Sequence, residues 1–311
     1  MFQLQMRRNG PRFGNDGKDG GAGGAMRSIV VGITAACLVL PCSAALAEPS
    51  RTDESQKWVP SLGLTSGILV GGARGDVSSS VRPSAGGSES LISPWIGASL
   101  EIMTPAWEPL GGRTRFFAHG GVAANVGFDR DLAKEGAPAK FVAPTLPPIN
   151  SDAVVQGQGS VTSTQPAGFQ ASAGAGVSFT IETGWRRLRI KPSFEYLVEE
   201  IEVDGLVHRA TLLDPNVPSF NFISISGSQT EFFHSIGPGL EIEADIARGG
   251  PVLVALLVSG SAVHILGDRD VDFSSTDATG LDTATWGYRK DAWTYRAHVG
   301  VRFRWVPEAG F

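Results

Sequence analysis

The stretch from Trp293 to Trp305 alternates without a break between apolar and polar residues, which is the period of a β-strand with two different faces. The apolar face consists of Trp293, Tyr295, Ala297, Val299, Val301, Phe303 and Trp305. The opposite face consists of Thr294, Arg296, His298, Gly300, Arg302 and Arg304. A tilted strand crosses the hydrocarbon layer of a bilayer with roughly 9–11 residues, and this stretch is slightly longer. The pattern predicts a strand whose apolar face meets lipid and whose basic face lines the inside of a closed barrel.

The composition agrees with a membrane barrel rather than with a helical membrane protein. Charged residues make up 18% of the 311 residues, below the roughly 25% of soluble domains. The chain has no uninterrupted apolar run of about 18 residues, so we do not expect a membrane-spanning helix. Its net charge of −5 argues against nucleic acid as a partner.

The beginning of the chain has the pattern of a secretory signal peptide. A basic start at Met26-Arg27-Ser28 leads into the apolar run Ile29–Leu40, and Ala45-Leu46-Ala47 provides the small residues of a cleavage site. We therefore predict a signal peptide at 26–47 that is cut after Ala47. Both cysteines, Cys37 and Cys42, would leave with it, so the mature chain would have no disulfide and no thiol chemistry.

The remaining boundaries follow from this cleavage. Residues 1–25 are Gly-rich and are expected to be disordered or to lie upstream of a true start at Met26. Residues 48–56 would form a short lead, 57–306 the barrel, and 307–311 a C-terminal tail.

Seven further stretches resemble the last one in length and alternation. With Trp293–Trp305 they give eight predicted strands. The other seven are Trp58–Val70, Leu91–Met103, Arg115–Phe128, Phe169–Ile181, Leu188–Val198, a run that ends at Ile246, and Val252–Leu266. The fifth strand changes parity near Glu199-Glu200, where we expect a β-bulge.

The connections between these strands alternate in length. The long ones are predicted loops at 71–90, 129–165, 206–228 and 267–291, and the connections between them are short. Outer-membrane barrels have this alternation, with short periplasmic turns and longer extracellular loops. Tryptophan prefers membrane interfaces, and four of the tryptophans fall at the short-turn end. They are Trp58, Trp107, Trp185 and Trp305.

From about Trp58 to Trp305 the chain resembles the small eight-stranded outer-membrane barrels of the OmpA/OmpX type. The resemblance implies an antiparallel, all-β, up-and-down transmembrane barrel that is integral to the outer membrane of a Gram-negative-type envelope. It also implies outer-membrane lipid and the barrel-assembly machinery as partners. Proline within the strands departs from this pattern because each proline removes a hydrogen-bond donor. The four strand prolines are Pro60, Pro94, Pro192 and Pro238, which we expect near strand ends or bulges.

Charged residues of both signs occupy the parity that faces inward. Eight strands leave an interior only wide enough for side chains, and a buried charge needs a partner. We therefore predict a structural salt-bridge network that plugs the lumen. Its predicted members are Glu101, Arg115, Glu182, Arg189, Lys191, Glu195, Glu199, Glu241, Glu243, Arg296, Arg302 and Arg304. His119 and His298 have the same inward parity.

The sequence contains no motif that identifies a catalytic, cofactor or metal site. The adjacent His234 and Ser235 would lie on opposite faces of a strand, so they are not expected to act as base and nucleophile. The preferred function is therefore a non-enzymatic structural or surface-interaction role through the long loops, with no cofactor and with an unidentified extracellular ligand.

Two alternatives remain open. The first is a narrow ion or small-solute pore, which a ten-stranded barrel would favour if loop segments such as 220–226 paired as extra strands. The second is a lipid A-modifying outer-membrane enzyme, because some eight-stranded barrels have that activity.

Overall fold

The computed structural model describes residues 57–80, 84–107, 113–126, 130–136, 154–164, 168–183, 186–214 and 217–306. These residues form twelve antiparallel strands. The strands are β1 Val59–Ser79, β2 Ala85–Met103, β3 Thr114–Asn125, β4 Arg130–Gly136, β5 Val154–Thr164, β6 Phe169–Thr183, β7 Arg186–Asp214, β8 Val217–Gly249, β9 Val252–Leu266, β10 Asp270–Thr276, β11 Thr283–Lys290 and β12 Trp293–Trp305. Within the described part of the chain, no helix has the length and hydropathy needed to span a membrane.

Eight of the strands close into a ring. The pairing order is β1-β2-β3-β6-β7-β8-β9-β12, and β12 returns to β1 over the register Ser61↔Arg304 to Val70↔Tyr295. The predicted eight-stranded antiparallel barrel is therefore confirmed. Residues 220–226, which the ten-stranded alternative required as an extra strand, instead belong to β8 and pair with β7. The alternative prediction of a ten-stranded barrel is therefore wrong.

The two faces of the ring differ as the alternation predicts. In β12, Tyr295 and Val299 are exposed on the outside, whereas Thr294, Arg302 and Arg304 are buried inside. Large apolar side chains are exposed on the outer face of every strand of the ring, and we call this band the apolar belt. Its members include Leu64, Ile96, Leu100, Phe116, Val122, Phe179, Ile181, Phe194, Leu240, Ile242, Leu256, Val258, Tyr295 and Val299.

The predicted long loops are mostly strands, which corrects the sequence-based boundaries. β1, β2, β7 and β8 continue beyond the apolar belt, and two hairpins, β4–β5 and β10–β11, pair with these extensions. The result is two four-stranded sheets, in the orders β2-β1-β11-β10 and β4-β5-β7-β8. We call this part the cap; its described residues are 72–80, 84–91, 130–136, 154–164, 200–214, 217–233 and 267–291.

The cap has a hydrophobic core of its own. Trp286, Tyr288, Ile201, Val203 and Ile225 are each at most 1% exposed within one cluster that joins both cap sheets. A small apolar core between two sheets is the arrangement of a water-soluble β-sandwich. The same strands thus run from the ring with its apolar belt into the two-sheet sandwich of the cap.

The side-chain pattern inverts at the boundary between the apolar belt and the cap. In β7 the outward residues change from Val198 to Glu200 and Glu202, and the inward residues change from Glu199 to Ile201. The β7–β8 register runs through this point without a shift, so the expected bulge near Glu199-Glu200 is wrong. The apparent change of parity in the sequence reflects an exchange of polar and apolar faces.

The four strand prolines all point outward, and each lies where a ladder ends or is interrupted. Pro60 is one residue from the end of β1, and Pro94 lies just beyond the first β2–β3 pair at Trp95. The β6–β7 ladder is interrupted at Pro192, and the β8–β9 ladder is interrupted at Pro238. These positions need no amide donor, which explains why proline is tolerated there.

Several predictions concern residues outside the described ranges. They are the segment 1–25, the signal peptide at 26–47 with its cut after Ala47, the lead at 48–56, the tail at 307–311, and Trp185. The other three tryptophans of the short-turn end, Trp58, Trp107 and Trp305, are about half exposed on that end of the barrel.

Candidate functional site in the barrel interior

Eight charged side chains meet inside the barrel near its short-turn end. We call them the charge network: Glu101, Arg189, Lys191, Glu241, Glu243, Asp245, Arg302 and Arg304. The β7–β8 register sets Arg189 opposite Glu243 and Lys191 opposite Glu241, so strand pairing alone aligns opposite charges. The network contains four acids and four bases.

Lys191 is the centre of this network. Its Nζ lies 2.8 Å from Glu241 Oε1 and 3.4 Å from Glu243 Oε2, and it also donates to Glu101. Arg304 Nη2 lies 2.6 Å from both oxygens of Glu243. Lys191 and Glu243 are both 0% exposed. Since a buried charge without a partner costs several kcal/mol, this matching of acids and bases is what allows the network to be buried.

The other five predicted members lie elsewhere. Arg115 reaches the Thr104 carbonyl at 3.5 Å on the short-turn end, and Glu182 lies 3.8 Å from Arg187 at the same rim. Strand parity alone could not separate these rim positions from the interior.

The remaining three of those five lie above the network, toward the cap. Glu195 Oε1 accepts from His119 Nε2 at 3.0 Å, and Glu199 pairs with Lys290. The guanidinium carbon of Arg296 lies 4.0 Å from the ring centroid of Trp95.

Sequence reasoning missed three interior residues. Asp245 pairs with Arg189 and lies on the same parity of β8 as Glu241 and Glu243, so that parity was an available signal. Lys290 belonged to a predicted loop, where no inward face could be assigned. The buried Trp95 lies on the inward parity of β2, which its aromatic character did not indicate.

Apolar layers lie above and below the charged interior. Toward the short-turn end, Val59, Met103, Phe117, Leu253 and Val306 form one buried cluster. Toward the cap lies a second buried cluster, and the core of the cap lies beyond it. The second cluster consists of Leu69, Trp95, Ala123, Leu197 and Val263. Paired charges and apolar layers thus follow one another along the described interior of the barrel.

A small polar cavity of about 40 Å³ remains between the charge network and the layer around Trp95. Its walls carry His119, Glu195, Arg296, His298 and Arg302, together with several serine hydroxyls. Inward glycines such as Gly121 make the space because they have no side chain.

Aspartates of the cap form a second group of titratable side chains. Partial burial, followed by repulsion from Asp270, Asp76 and Asp268, raises the pKa of Asp272 above its ordinary value. The Thr279 hydroxyl and backbone donors lower the pKa of Asp277. Among the residues with described side chains, no cluster of His, Cys, Asp or Glu has a geometry that could hold a metal ion.

His234 and Ser235 lie on opposite faces of β8. The His234 Nδ1 atom is 2.6 Å from the Tyr196 hydroxyl on the outer surface, whereas Ser235 is buried inside. The two side chains therefore do not form a base–nucleophile pair.

No family model matches the chain, and no curated protein matches it. Solved structures of outer-membrane proteins resemble it at low identity. A major outer membrane protein from Thermus thermophilus is 9% identical, with a TM-score of 0.33, and the match covers 76% of this chain and 99% of that one. The attachment invasion locus protein Ail of Yersinia pestis, solved in complex with the heparin analogue sucrose octasulfate, is 11% identical, with a TM-score of 0.22 and coverages of 78% and 99%. The outer membrane protease OmpT from Escherichia coli is 9% identical, with a TM-score of 0.25 and coverages of 83% and 99%. TM-scores this low carry no structural argument. The eight-stranded ring is therefore established by the strand pairings alone.

Proposed function

We propose that the chain is an integral outer-membrane β-barrel with a sealed lumen, and that it presents the cap for interactions at the cell surface. The observation that carries this proposal is the apolar belt. Leu100 is 67% exposed, Val258 59% and Phe194 58%, and they belong to a band that encircles the barrel. Soluble monomers rarely expose contiguous apolar patches larger than a few hundred Å², because water makes such surface costly.

The position of the inversion supports a membrane boundary. Outside the belt, β7 and β8 present Glu200, Glu202, Ser226 and Ser228 outward and bury Ile201. A surface that meets lipid on one side of a line and water on the other needs this exchange of faces. We therefore assign the apolar belt to the lipid and the cap to the water outside it.

The orientation follows from the turns. The β6–β7 and β8–β9 connections are short and lie at the end opposite the cap. Barrels of the outer membrane place short turns in the periplasm, so the cap would lie outside the cell. From Glu200 to Asp214, β7 extends about 50 Å along the strand at roughly 3.3 Å per residue, which takes the cap well clear of the bilayer.

The rigidity of the cap supports a role in surface interaction. Its two sheets share a packed core, so its outer surface is pre-organised, and a pre-organised surface loses less entropy on binding than flexible loops do. The contents of the lumen argue against transport, because buried ion pairs and the cluster around Trp95 occupy it. The proposed role is therefore non-enzymatic and does not include conduction.

Cell fractionation with electrophoresis before and after boiling tests the membrane assignment. We expect an outer-membrane band that migrates faster when unboiled, because folded barrels resist detergent. A soluble periplasmic protein without a heat shift would overturn the proposal.

Labelling of intact cells tests the orientation. Ser226→Cys in the cap should react with a membrane-impermeant maleimide, and the matched control Ala247→Cys at the short-turn end should react only after the cells are opened. Both positions are exposed, so accessibility is not limited by burial. Labelling of the Ala247→Cys variant alone on intact cells would reverse the orientation.

A further inference from the structure

Arginines concentrate at the short-turn end of the barrel. Arg113 lies in the β2–β3 connection, Arg186 begins β7, and Arg248 lies just before the β8–β9 turn; all three are exposed. Arg115 and Arg187 lie at the same rim and are half-buried. These five side chains are separate from the charge network in the interior.

Strand pairing joins these arginines into one arc. In the ring, β3 pairs with β6, β6 with β7, and β7 with β8, so the three connections are neighbours around the rim. The Thr180 amide donates to the Arg113 carbonyl at 2.9 Å, and Thr183 is paired with Arg186. The end of β6 therefore lies between Arg113 and Arg186. We call Arg113, Arg115, Arg186, Arg187 and Arg248 the arginine rim.

The arginine rim carries an excess of positive charge. Among the described residues of this arc, Glu182 is the only acid outside the charge network, and it lies 3.8 Å from Arg187. Asp245, the nearest acid along β8, pairs with Arg189 and Arg304 inside the barrel. The rim is therefore a positive surface.

The exposed charge at the opposite end of the chain has the other sign. Among the described side chains of the cap, the exposed acids include Asp76, Glu89, Asp268, Asp270, Asp272 and Asp291, whereas the exposed arginines are Arg74 and Arg289. Because opposite charges attract and like charges repel, a negative partner favours the arginine rim over the cap.

The arginine rim lies at the edge of the apolar belt. Phe179 and Ile181 of β6 are exposed on the outer face directly above it. Trp107 packs against Phe116 beside the same arc, with 5.7 Å between the ring centroids, and tryptophan prefers membrane interfaces. Arg186 has the outward parity of β7. Apolar side chains above and cations below match the two parts of a phospholipid, its acyl chains and its headgroup.

We propose that the arginine rim binds the phosphate headgroups of anionic phospholipids in the leaflet next to the short turns. A guanidinium donates paired N–H groups to phosphate oxygens, and basic residues beside a membrane attract anionic lipids. A headgroup at the end of β6 lies between Arg113 and Arg186, with its acyl chains against Phe179 and Ile181. This inference rests on the proposed membrane location of the apolar belt, and it adds the class of lipid that the barrel selects.

The test measures lipid binding to the purified, folded chain in neutral detergent micelles by native mass spectrometry. Phosphatidylglycerol is compared with phosphatidylcholine of the same acyl chains, because the two lipids differ in the net charge of the headgroup. We expect a higher association constant for phosphatidylglycerol. The difference should shrink as the ammonium acetate concentration rises, since salt screens exposed charges.

Two double variants locate the site. Arg113→Gln/Arg186→Gln should lower the ratio of the two association constants at least about five-fold, which corresponds to the attraction of one basic residue near an anionic surface. Arg74→Gln/Arg289→Gln removes the same charge from exposed positions of the cap and should leave the ratio unchanged. If the rim variant does not fold, the exposed single variant Arg248→Gln replaces it and should lower the ratio.

Three results would overturn the proposal while leaving the barrel in its membrane. They are equal association constants for the two lipids, a preference that survives in the rim variant, and displacement of phosphatidylglycerol by inorganic phosphate at the same concentration, which would mean that the rim binds a free anion. A chain that does not insert into bilayers would instead refute the proposed function, so the two failures are distinguishable.

Discussion

The indole ring of Trp286, in one sheet of the cap, packs directly against the backbone of Gly205 in the other. A Cβ atom at position 205 would overlap Trp286 Cδ2 and Cε2. The ring of Phe273 stacks on the indole of Trp286, with 5.2 Å between the two ring centroids. The close approach of the two cap sheets therefore depends on the absence of a side chain at one residue of β7.

Gly205→Ala should loosen the cap without opening the barrel. The added methyl group forces the two sheets apart, and overpacking of this kind costs about 1–3 kcal/mol. Limited proteolysis should cut the cap of the variant faster, while the heat-modifiable barrel band persists. Gly86→Ala is the matched control, because its nearest neighbour would be the Gly75 carbonyl at 4.0 Å. Equal proteolysis of both variants would contradict the packing described here.

Glu243→Gln should destabilise the barrel strongly. Glu243 is 0% exposed and contacts Arg304, Lys191 and Arg302, so the substitution leaves buried cations short of one negative charge. Breaking a buried pair typically costs about 3–5 kcal/mol. Urea unfolding in detergent measures this loss. The rim variant Glu182→Gln, whose partner Arg187 lies 3.8 Å away, should lose at most about 1 kcal/mol. Similar losses for both variants would show that the network does not stabilise the fold.

In planar bilayers the protein should give no discrete conductance steps. Arg302→Ala should also remain closed, because the layer of Leu69, Trp95 and Leu197 and the core of the cap lie above the substituted position. Unitary conductance of the unaltered protein would require a water path through these layers and would restore the pore alternative.

The cap should respond to pH through two aspartates of opposite behaviour. The raised pKa of Asp272 means that its charged form is disfavoured in the folded cap, so its contribution to stability is present at acid pH and is lost as the pH rises through the folded pKa. Asp272→Asn should therefore stabilise the cap at neutral pH, and this gain should shrink as the pH falls toward 3.8, the ordinary value for Asp.

Asp277 should show the opposite sign. Its lowered pKa means that its contribution is present at neutral pH and is lost as the pH falls through the lowered folded value. The carboxylate accepts from Thr279 at 2.6 Å and from the Leu281 amide at 3.1 Å. Asp277→Asn should destabilise the cap at neutral pH. Thermal unfolding of the cap at a series of pH values measures both effects, and equal signs for the two variants would contradict this assignment.

The sequence predicts the barrel well because its outer face is a strict repeat. Period two through Trp293–Trp305 assigns every side chain of β12 to its correct face. The alternation is reliable where the outer face of the barrel is apolar and its lumen is polar. It also places seven of the eight members of the charge network.

The cap was misread because its sequence follows a different rule. The segment 71–90 is rich in Gly and Ser, which is typical of loops, and the segment 206–228 contains the prolines Pro215 and Pro218 and was therefore interpreted as a turn. In the structure most of the described residues of these segments form strands whose apolar members face a small core, as at Val77 and Val207. The change at Glu199-Glu200 was the available signal, because faces that invert without a bulge mark the boundary between the apolar belt and the cap. The pairing of the β4–β5 and β10–β11 hairpins with distant strands depends on tertiary contacts that no local pattern encodes.

The most direct test of the central claim is the environment of single spin labels on the outer surface of the barrel and of the cap. Leu100→Cys places a label in the apolar belt, and Ser226→Cys places one on the outward face of β8 in the cap. In reconstituted bilayers we expect the label at 100 to collide readily with oxygen and little with a water-soluble nickel chelate, and the label at 226 to show the reverse. Ready access of the nickel chelate to both labels would mean that the belt faces water and that the chain is not a membrane barrel.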